Sequence, residues 1–272
     1  TDLSNAISPR GALIYRTRSD STFKLIYAKG YRNPSFYEAY FRDAGDILDN
    51  PGLKPESIQN LELIYEYRFK KLLKVTLSNY YFRASDLIRQ QTVTCDSAAG
   101  DSFECNDPTE TRQQYSNVAA LEGLGSEGAA QLVLPSGIQA RATLAVQRST
   151  DLDTREQLSN SPALVSNLLL SWPLLKDKAY LSGQLHYVAA REAVEGDEQR
   201  ESVDPYVLAN LVFATRELAP GVSVQAGVFN VFNQAYQDVA VSEKTVIDRS
   251  DTPILTIPAD QRTFAFKLSY RY

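Results

Sequence analysis

Apolar and polar residues alternate with a period of two along most of this chain, and that pattern restricts it to β structure. Over residues 58–69 one parity reads Leu61, Leu63, Tyr65, Tyr67, Phe69 and the other Asn60, Glu62, Ile64, Glu66, Arg68, with every charge on the second. Residues 138–147 repeat the pattern, with Ile138, Ala140, Ala142, Leu144, Val146 set against Gln139, Arg141, Thr143, Ala145, Gln147. A helix would scatter such residues round its circumference, whereas a strand sorts them onto two faces. Weaker alternation recurs near 8–18, 21–31, 72–88, 113–134, 162–173, 179–190, 205–216, 222–231 and at the C-terminus. The pattern predicts an all-β chain of about 11 strands and no helix.

The connections carry a second signal. Very short ones (around 17–20, 69–71, 135–137, 175–177 and 218–221) alternate with long ones (31–56, 89–112, 148–161, 190–204 and 232–261). In an antiparallel sheet every second connection lies at the same end, so the short turns share one end and the long loops the other. Transmembrane β-barrels have this asymmetry, with short periplasmic turns and long extracellular loops. A soluble β-sandwich also alternates, with its apolar face in a core, but gives no reason for regular loop asymmetry. Tyr and Phe gathered near the strand ends also favour a barrel with interfacial girdles.

Composition removes other classes. No run of 18 apolar residues exists, so no transmembrane helix is expected. With 28 Lys+Arg against 33 Asp+Glu the net charge is −5, which is poor for nucleic-acid binding. Two Cys and one His leave little for metal or nucleophile chemistry, and neither a cofactor nor a metal site is expected. The chain starts at Thr1 and contains no Met, so it is expected to be part of a longer product.

Several segments resemble, in order, the boxes of TonB-dependent outer-membrane receptors. Tyr27-Ala28-Lys29-Gly30-Tyr31-Arg32-Asn33-Pro34-Ser35-Phe36-Tyr37-Glu38 is similar to a strand-to-loop box of that family. Asn50-Pro51-Gly52-Leu53-Lys54-Pro55-Glu56-Ser57 resembles the next, and Leu61-Glu62-Leu63-Ile64-Tyr65-Glu66-Tyr67 the strand after it. Val228-Phe229-Asn230-Val231-Phe232-Asn233-Gln234-Ala235-Tyr236 resembles the penultimate-strand signature. The closing Phe264, Phe266, Leu268, Tyr270 and Tyr272 resemble the strand read by the barrel-assembly machinery.

The resemblance implies an antiparallel transmembrane β-barrel portion, residues 1–272 being the C-terminal half, with the family's plug domain outside this chain. It also implies residence in the outer membrane of a Gram-negative bacterium, among outer-membrane lipid. The parent would take up a scarce nutrient, with a ferric siderophore as the expected ligand, driven by the TonB energising complex through the plug. It would not be an enzyme. A passive porin or adhesin-like barrel, and a soluble carbohydrate-binding sandwich, are the alternatives.

Candidate residues follow. Arg32, Asn33, Phe36, Tyr37, Tyr40 and Phe41 combine aromatic faces with a guanidinium, which suits a flat anionic iron chelate; an ordinary packed loop would use them too. Glu62, Glu66, Arg68 and His186 share the polar parity. They are expected to face the lumen, contacting the plug or lumen water. Haem ligation by His186 is the alternative, but the long loop near the first box contains no His, which argues against haem. Cys95 and Cys105, in a long and polar exported connection, are expected to form a local disulfide. Gly123-Leu124-Gly125-Ser126-Glu127-Gly128 lacks the Lys-Ser/Thr of a phosphate loop, and its glycines are expected to mark a bulge or a close backbone approach. The acidic stretch 190–204 is expected to be a solvated loop.

Overall fold

The computed structural model describes residues 7–43, 46–94, 110–176, 178–195, 199–240 and 256–271. Eleven long strands follow one another as neighbours in a single antiparallel sheet: β1 (Arg10–Arg18), β2 (Ser21–Arg32), β4 (Glu56–Phe69), β5 (Leu73–Thr94), β6 (Thr111–Val133), β7 (Gln139–Asp151), β8 (Leu164–Leu174), β9 (Ala179–Val188), β12 (Tyr206–Thr215), β13 (Val222–Phe229) and β16 (Thr263–Tyr270). β3 (Ile47–Leu48) is a two-residue addition to the same sheet. Two small hairpins stand in the long connections: β10 (Arg191–Glu195) with β11 (Gln199–Val203), and β14 (Gln237–Val239) with β15 (Thr256–Pro258). Every connection between consecutive wall strands is alternately short and long, as the sequence predicts.

Among the described residues the sheet has no second layer over its apolar side. Leu63, Leu77, Leu144, Leu168, Leu185 and Leu211, one from each of six strands, are 44–48% exposed. A sandwich would bury them. The register places them together: Phe23 lies opposite Tyr65, Tyr65 opposite Leu77, Leu77 opposite Gly128, and Gly128 opposite Leu144. A shallow groove of about 580 Å³ on this face is lined by Leu77, Leu144, Leu168, Leu185, Tyr187 and Val207.

The opposite face is polar and internally bonded. Lys24 pairs with Glu66 at 3.0 Å. Ser78 donates to Glu62 at 2.6 Å, Tyr80 to Gln147 at 3.3 Å, and Ser182 to Ser171 at 3.0 Å. These bonds join strands that sequence alternation alone does not align, and they satisfy polar groups along the wall.

Two expectations need correction. The chain does contain a helix, α1 (Phe36–Tyr40), one turn long. The stretch 190–204 is not simply a solvated loop: Ala193 and Val203 are 1% and 0% exposed within the β10–β11 hairpin. Among the described residues no helix is long and apolar enough to cross a membrane.

Candidate functional site

The long-connection end of the sheet is organised around β5 and β6. Both outrun their neighbours: β7 pairs with β6 only from Leu121 to Val133, whereas β5 and β6 stay paired out to Thr94 and Thr111. Leu87 to Thr94 adds about 27 Å beyond the rest of the wall at about 3.4 Å per residue. Past the end of β7 the edge of β6 is taken by β3, which runs parallel to it with Ile47 opposite Gln113 and Leu48 opposite Gln114. The connection 33–55 therefore folds back across the sheet.

Three amide side chains hold it there. Buried Gln114 donates to the Asp49 carbonyl at 2.9 Å, and Asn50 donates to the Tyr115 carbonyl at 2.9 Å. Asn117 accepts from the Lys54 amide at 2.7 Å and returns a bond to the Lys54 carbonyl at 2.9 Å. The start of the connection is fixed by α1. Ser35 accepts from the Glu38 amide at 3.1 Å while the Glu38 carboxylate accepts from the Ser35 amide at 2.7 Å. This reciprocal capping box satisfies two of the orphan donors of the helix N-terminus. Ser35-Phe36-Tyr37-Glu38 is its sequence signature, and that signal could have located the helix.

Arg32, the last residue of β2, spends its whole fork on two carboxylates. Nη1 and Nη2 donate to Glu38 at 2.9 Å each, and Nη2 and Nε donate to Glu56 at 2.7 and 2.5 Å. The guanidinium holds the Glu38 carboxyl down at about 2 from its ordinary 4.5, chiefly through these donated bonds. Arg32 is thus a clamp between the first turn of the helix and the start of β4. The aromatic candidates form two pairs on α1 and its C-cap: Phe36 with Tyr40 at 4.6 Å and Tyr37 with Phe41 at 4.3 Å. Tyr37 also meets Tyr115 edge-on at 6.2 Å. Phe36 is 81% exposed, and Asn33 is exposed beside it. The structure gathers the aromatics on α1 and its C-cap, with Phe36, Tyr37 and Phe41 exposed and Tyr40 half-buried, while the Arg32 guanidinium is neutralised by its two carboxylates.

The polar-face candidates lie away from this patch. Glu62 and Glu66 have the wall partners named above. Arg68 lines a depression of about 360 Å³ with Arg16, Asp20 and Lys24 at the short-turn end. His186 Nδ1 lies 2.7 Å from Asn167 Oδ1 on the polar face. Cys95, Cys105 and Tyr272 fall outside the described residues. Phe264, Phe266, Leu268 and Tyr270 share one parity of β16 and point to the apolar side, where Phe264 and Phe266 line a groove of about 420 Å³ with Leu211 and Phe213. Gly123 and Gly125 lie in a regular stretch of β6, where no register shift interrupts the ladder to β7. What approaches them is a pair of aromatic rings, Phe82 and Tyr80, so the expected bulge is absent. The register shift of the β5–β6 ladder lies at Ala84–Ile88 instead.

A family model for the TonB dependent receptor-like β-barrel matches residues 1–231. The chain belongs to the TonB-dependent receptor β-barrel family. It is 26% identical over 258 residues to the heme/hemopexin utilization protein C of Haemophilus influenzae, covering 86% of this chain and 35% of that protein. A ferric enterobactin receptor variant from Pseudomonas aeruginosa, solved in complex with enterobactin, superposes with a TM-score of 0.77 at 23% identity, over 97% of this chain and 40% of that one. The FrpB iron transporter from Neisseria meningitidis superposes with a TM-score of 0.70 at 15% identity, over 97% and 39%. The solved structures establish the fold, and the chain spans about a third of the length of the curated relatives it matches. Among its described residues the chain provides eleven wall strands with long connections between every second pair.

Proposed function

We propose that this chain is the C-terminal part of the barrel of a TonB-dependent outer-membrane receptor, with the plug domain supplied from outside it. The apolar face meets lipid and the polar face lines the lumen. The long connections are extracellular and capture a ferric siderophore, and TonB acting through the plug releases it into the periplasm. The parent binds and moves its ligand without making or breaking its bonds. Glu62, Glu66, Arg68 and His186 line the passage and contact the plug or lumen water, and the alternating aromatics of β16 are read by the assembly machinery. The observation that carries the reading is the single unlayered sheet with bare leucines on one face and a bonded polar network on the other, in a chain of this family. Porins and soluble sandwiches lack that family relationship.

The ligand surface we propose is the aromatic patch of exposed Phe36, Tyr37 and Phe41 with half-buried Tyr40 and exposed Asn33. Arg32 shapes it rather than meeting an anion, because both carboxylates already satisfy its fork. The name of the Haemophilus relative favours a second reading, haem. The chain's single His, His186, is bonded to Asn167 on the wall rather than placed near this patch, so a haem reading needs an iron ligand from elsewhere in the receptor. Deleting the parent gene and supplying ferric siderophores or haemin as sole iron source separates them. Loss of growth on a siderophore, restored by the full-length gene only in a strain with working TonB, supports the first reading. Loss confined to haemin supports the second, and unimpaired growth on every iron source refutes both.

A further inference from the structure

The short-turn end of the wall is rich in cations. At the long-connection end Arg32, Arg89, Arg112 and Arg191 each pair with a carboxylate, while Lys54, Arg155 and Arg262 are exposed without an ion pair among the described residues. At the short-turn end Arg18, Lys70, Lys71, Lys176, Lys178 and Arg216 are all exposed, and Arg271 lies beside them. None of these makes an ion pair among the described residues. The nearby acids are engaged locally, Asp20 by the Ser21 hydroxyl and Glu217 by the Gly221 amide.

The backbone also marks the short-turn cations. Lys70 and Lys176 hold positive φ, 52° and 56°, a conformation that Gly or Asn adopts with less strain. Cations occupy these turn tips nonetheless. Neighbouring turns along the rim are two strands apart, about 10 Å at about 4.8 Å per strand. Beneath the cations, on the apolar face, sit exposed Phe69 and Trp172, with Leu175 and Leu218 exposed at the turns. Lys70 Nζ stands 5.5 Å from the Phe69 ring centroid on that face, whereas the Arg216 guanidinium lies 5.1 Å from the ring of Tyr180, which shares the polar parity of Ser182. A ring of unpaired cations directly above an apolar belt matches a headgroup carrying phosphate above an acyl chain.

We infer that the short-turn rim is a binding surface for anionic phospholipid headgroups of the adjoining leaflet. The inference rests on the lipid-facing assignment of the leucine face. Each lysine contributes through charge, so the surface weakens as salt rises.

The test uses the full-length receptor, purified in detergent and reconstituted into vesicles of phosphatidylcholine with or without one-third phosphatidylglycerol. Lipid retained through a second purification is counted by mass spectrometry. The wild type is expected to retain phosphatidylglycerol over phosphatidylcholine by about tenfold at low salt, with most of that preference lost at 0.5 M salt. The combined variant K70Q/K71Q/K176Q/K178Q is expected to lose the preference while keeping its folded mobility on a gel. If that variant fails to fold, the salt response of the wild type decides alone. Equal retention of the two lipids by the wild type, as a protein partner for the rim would give, overturns the inference, as does a preference untouched by salt or by the substitutions. A receptor that enters neither kind of vesicle overturns the lipid-facing assignment itself, an outcome distinct from loss of headgroup preference.

Discussion

Gly125→Ala should destabilise the barrel, and should do so only while Tyr80 is present. A Cβ at position 125 would lie 2.5 Å from Tyr80 Oη, 2.6 Å from Cζ and 2.9 Å from Cε1, where ordinary carbon contacts are about 3.5–4.0 Å. The ring must lift off the strand. It then gives up its bond to Gln147, long at 3.3 Å and worth about 0.5–1 kcal/mol, and disturbs packing at an overpacking cost of about 1–3 kcal/mol. Replacing Gly within a strand returns about 0.5–1 kcal/mol. The net expectation is a loss of about 1–3 kcal/mol. In a Tyr80→Ala background the obstruction is gone and the same substitution should be neutral or slightly stabilising, so the cycle should show a coupling of about 2 kcal/mol. The assay is guanidinium unfolding of the full-length receptor in vesicles, with folded fraction read from gel mobility. Equal losses in the two backgrounds would refute the claim that the glycine exists to seat the ring.

Leu63→Arg places a charge on the lipid face and should cost about 2–4 kcal/mol if near mid-membrane, while Glu62→Gln, one residue away, should be mild; equal assembly yields in a heat-modifiability gel would sink the face assignment. Glu38 has its carboxyl depressed, so the stability it contributes is present above its ordinary value of 4.5 and is lost as pH falls towards about 2. Protection against hydrogen exchange across residues 33–42, taken relative to the intrinsic rate at each pH, should therefore fall between those values, and Glu38→Gln should show the reduced protection already at pH 7. Cys95 and Cys105 are proposed to form a disulfide stabilising their connection by about 2–3 kcal/mol; thiol labelling of the denatured, unreduced protein should find no free thiol, and two would remove the proposal.

The wall strands are legible because a strand between lipid and a polar interior must alternate at every residue, and Leu61 to Phe69 state that directly. The connection 33–55 is legible only in part. Ser35 and Glu38 carry the capping-box spacing, but one turn of helix has no apolar period to draw attention to it. The parallel contact of Ile47 and Leu48 with β6 leaves no local trace at all, since two residues cannot show alternation and their partners, Gln113 and Gln114, are remote in sequence. The pairing of Arg32 is hidden for a related reason. Composition shows a guanidinium among aromatics, whereas its pairing with Glu56 depends on the β2–β4 register across that connection. The β10–β11 hairpin was hidden by its acids: Glu192 and Glu201 suggest solvation, while Ala193 and Val203 alone report burial.

On the proposed reading, with the leucine face against lipid, the energetics of the wall account for a dependence on the bilayer. Apart from Leu48, Val188, Val203 and Tyr206, the buried apolar residues of the described chain are alanines, too little to offset the entropy of ordering so many residues at about 1–2 kcal/mol each. The missing stabilisation has to come from the leucine face, where covering each half-exposed side chain yields on the order of 1 kcal/mol at about 25 cal/mol per Å². Polar wall contacts such as Lys24–Glu66 and Ser78–Glu62 contribute in the other sense: they remove strand pairings that would leave charges without partners, because a slip of one residue would turn Glu62 and Glu66 towards lipid. On that reading lipid supplies the driving force and the polar face fixes the register. Substitutions on the two faces should accordingly fail differently, apolar-face changes by lowering the folded fraction and polar-face changes by allowing mispaired strands at nearly unchanged yield.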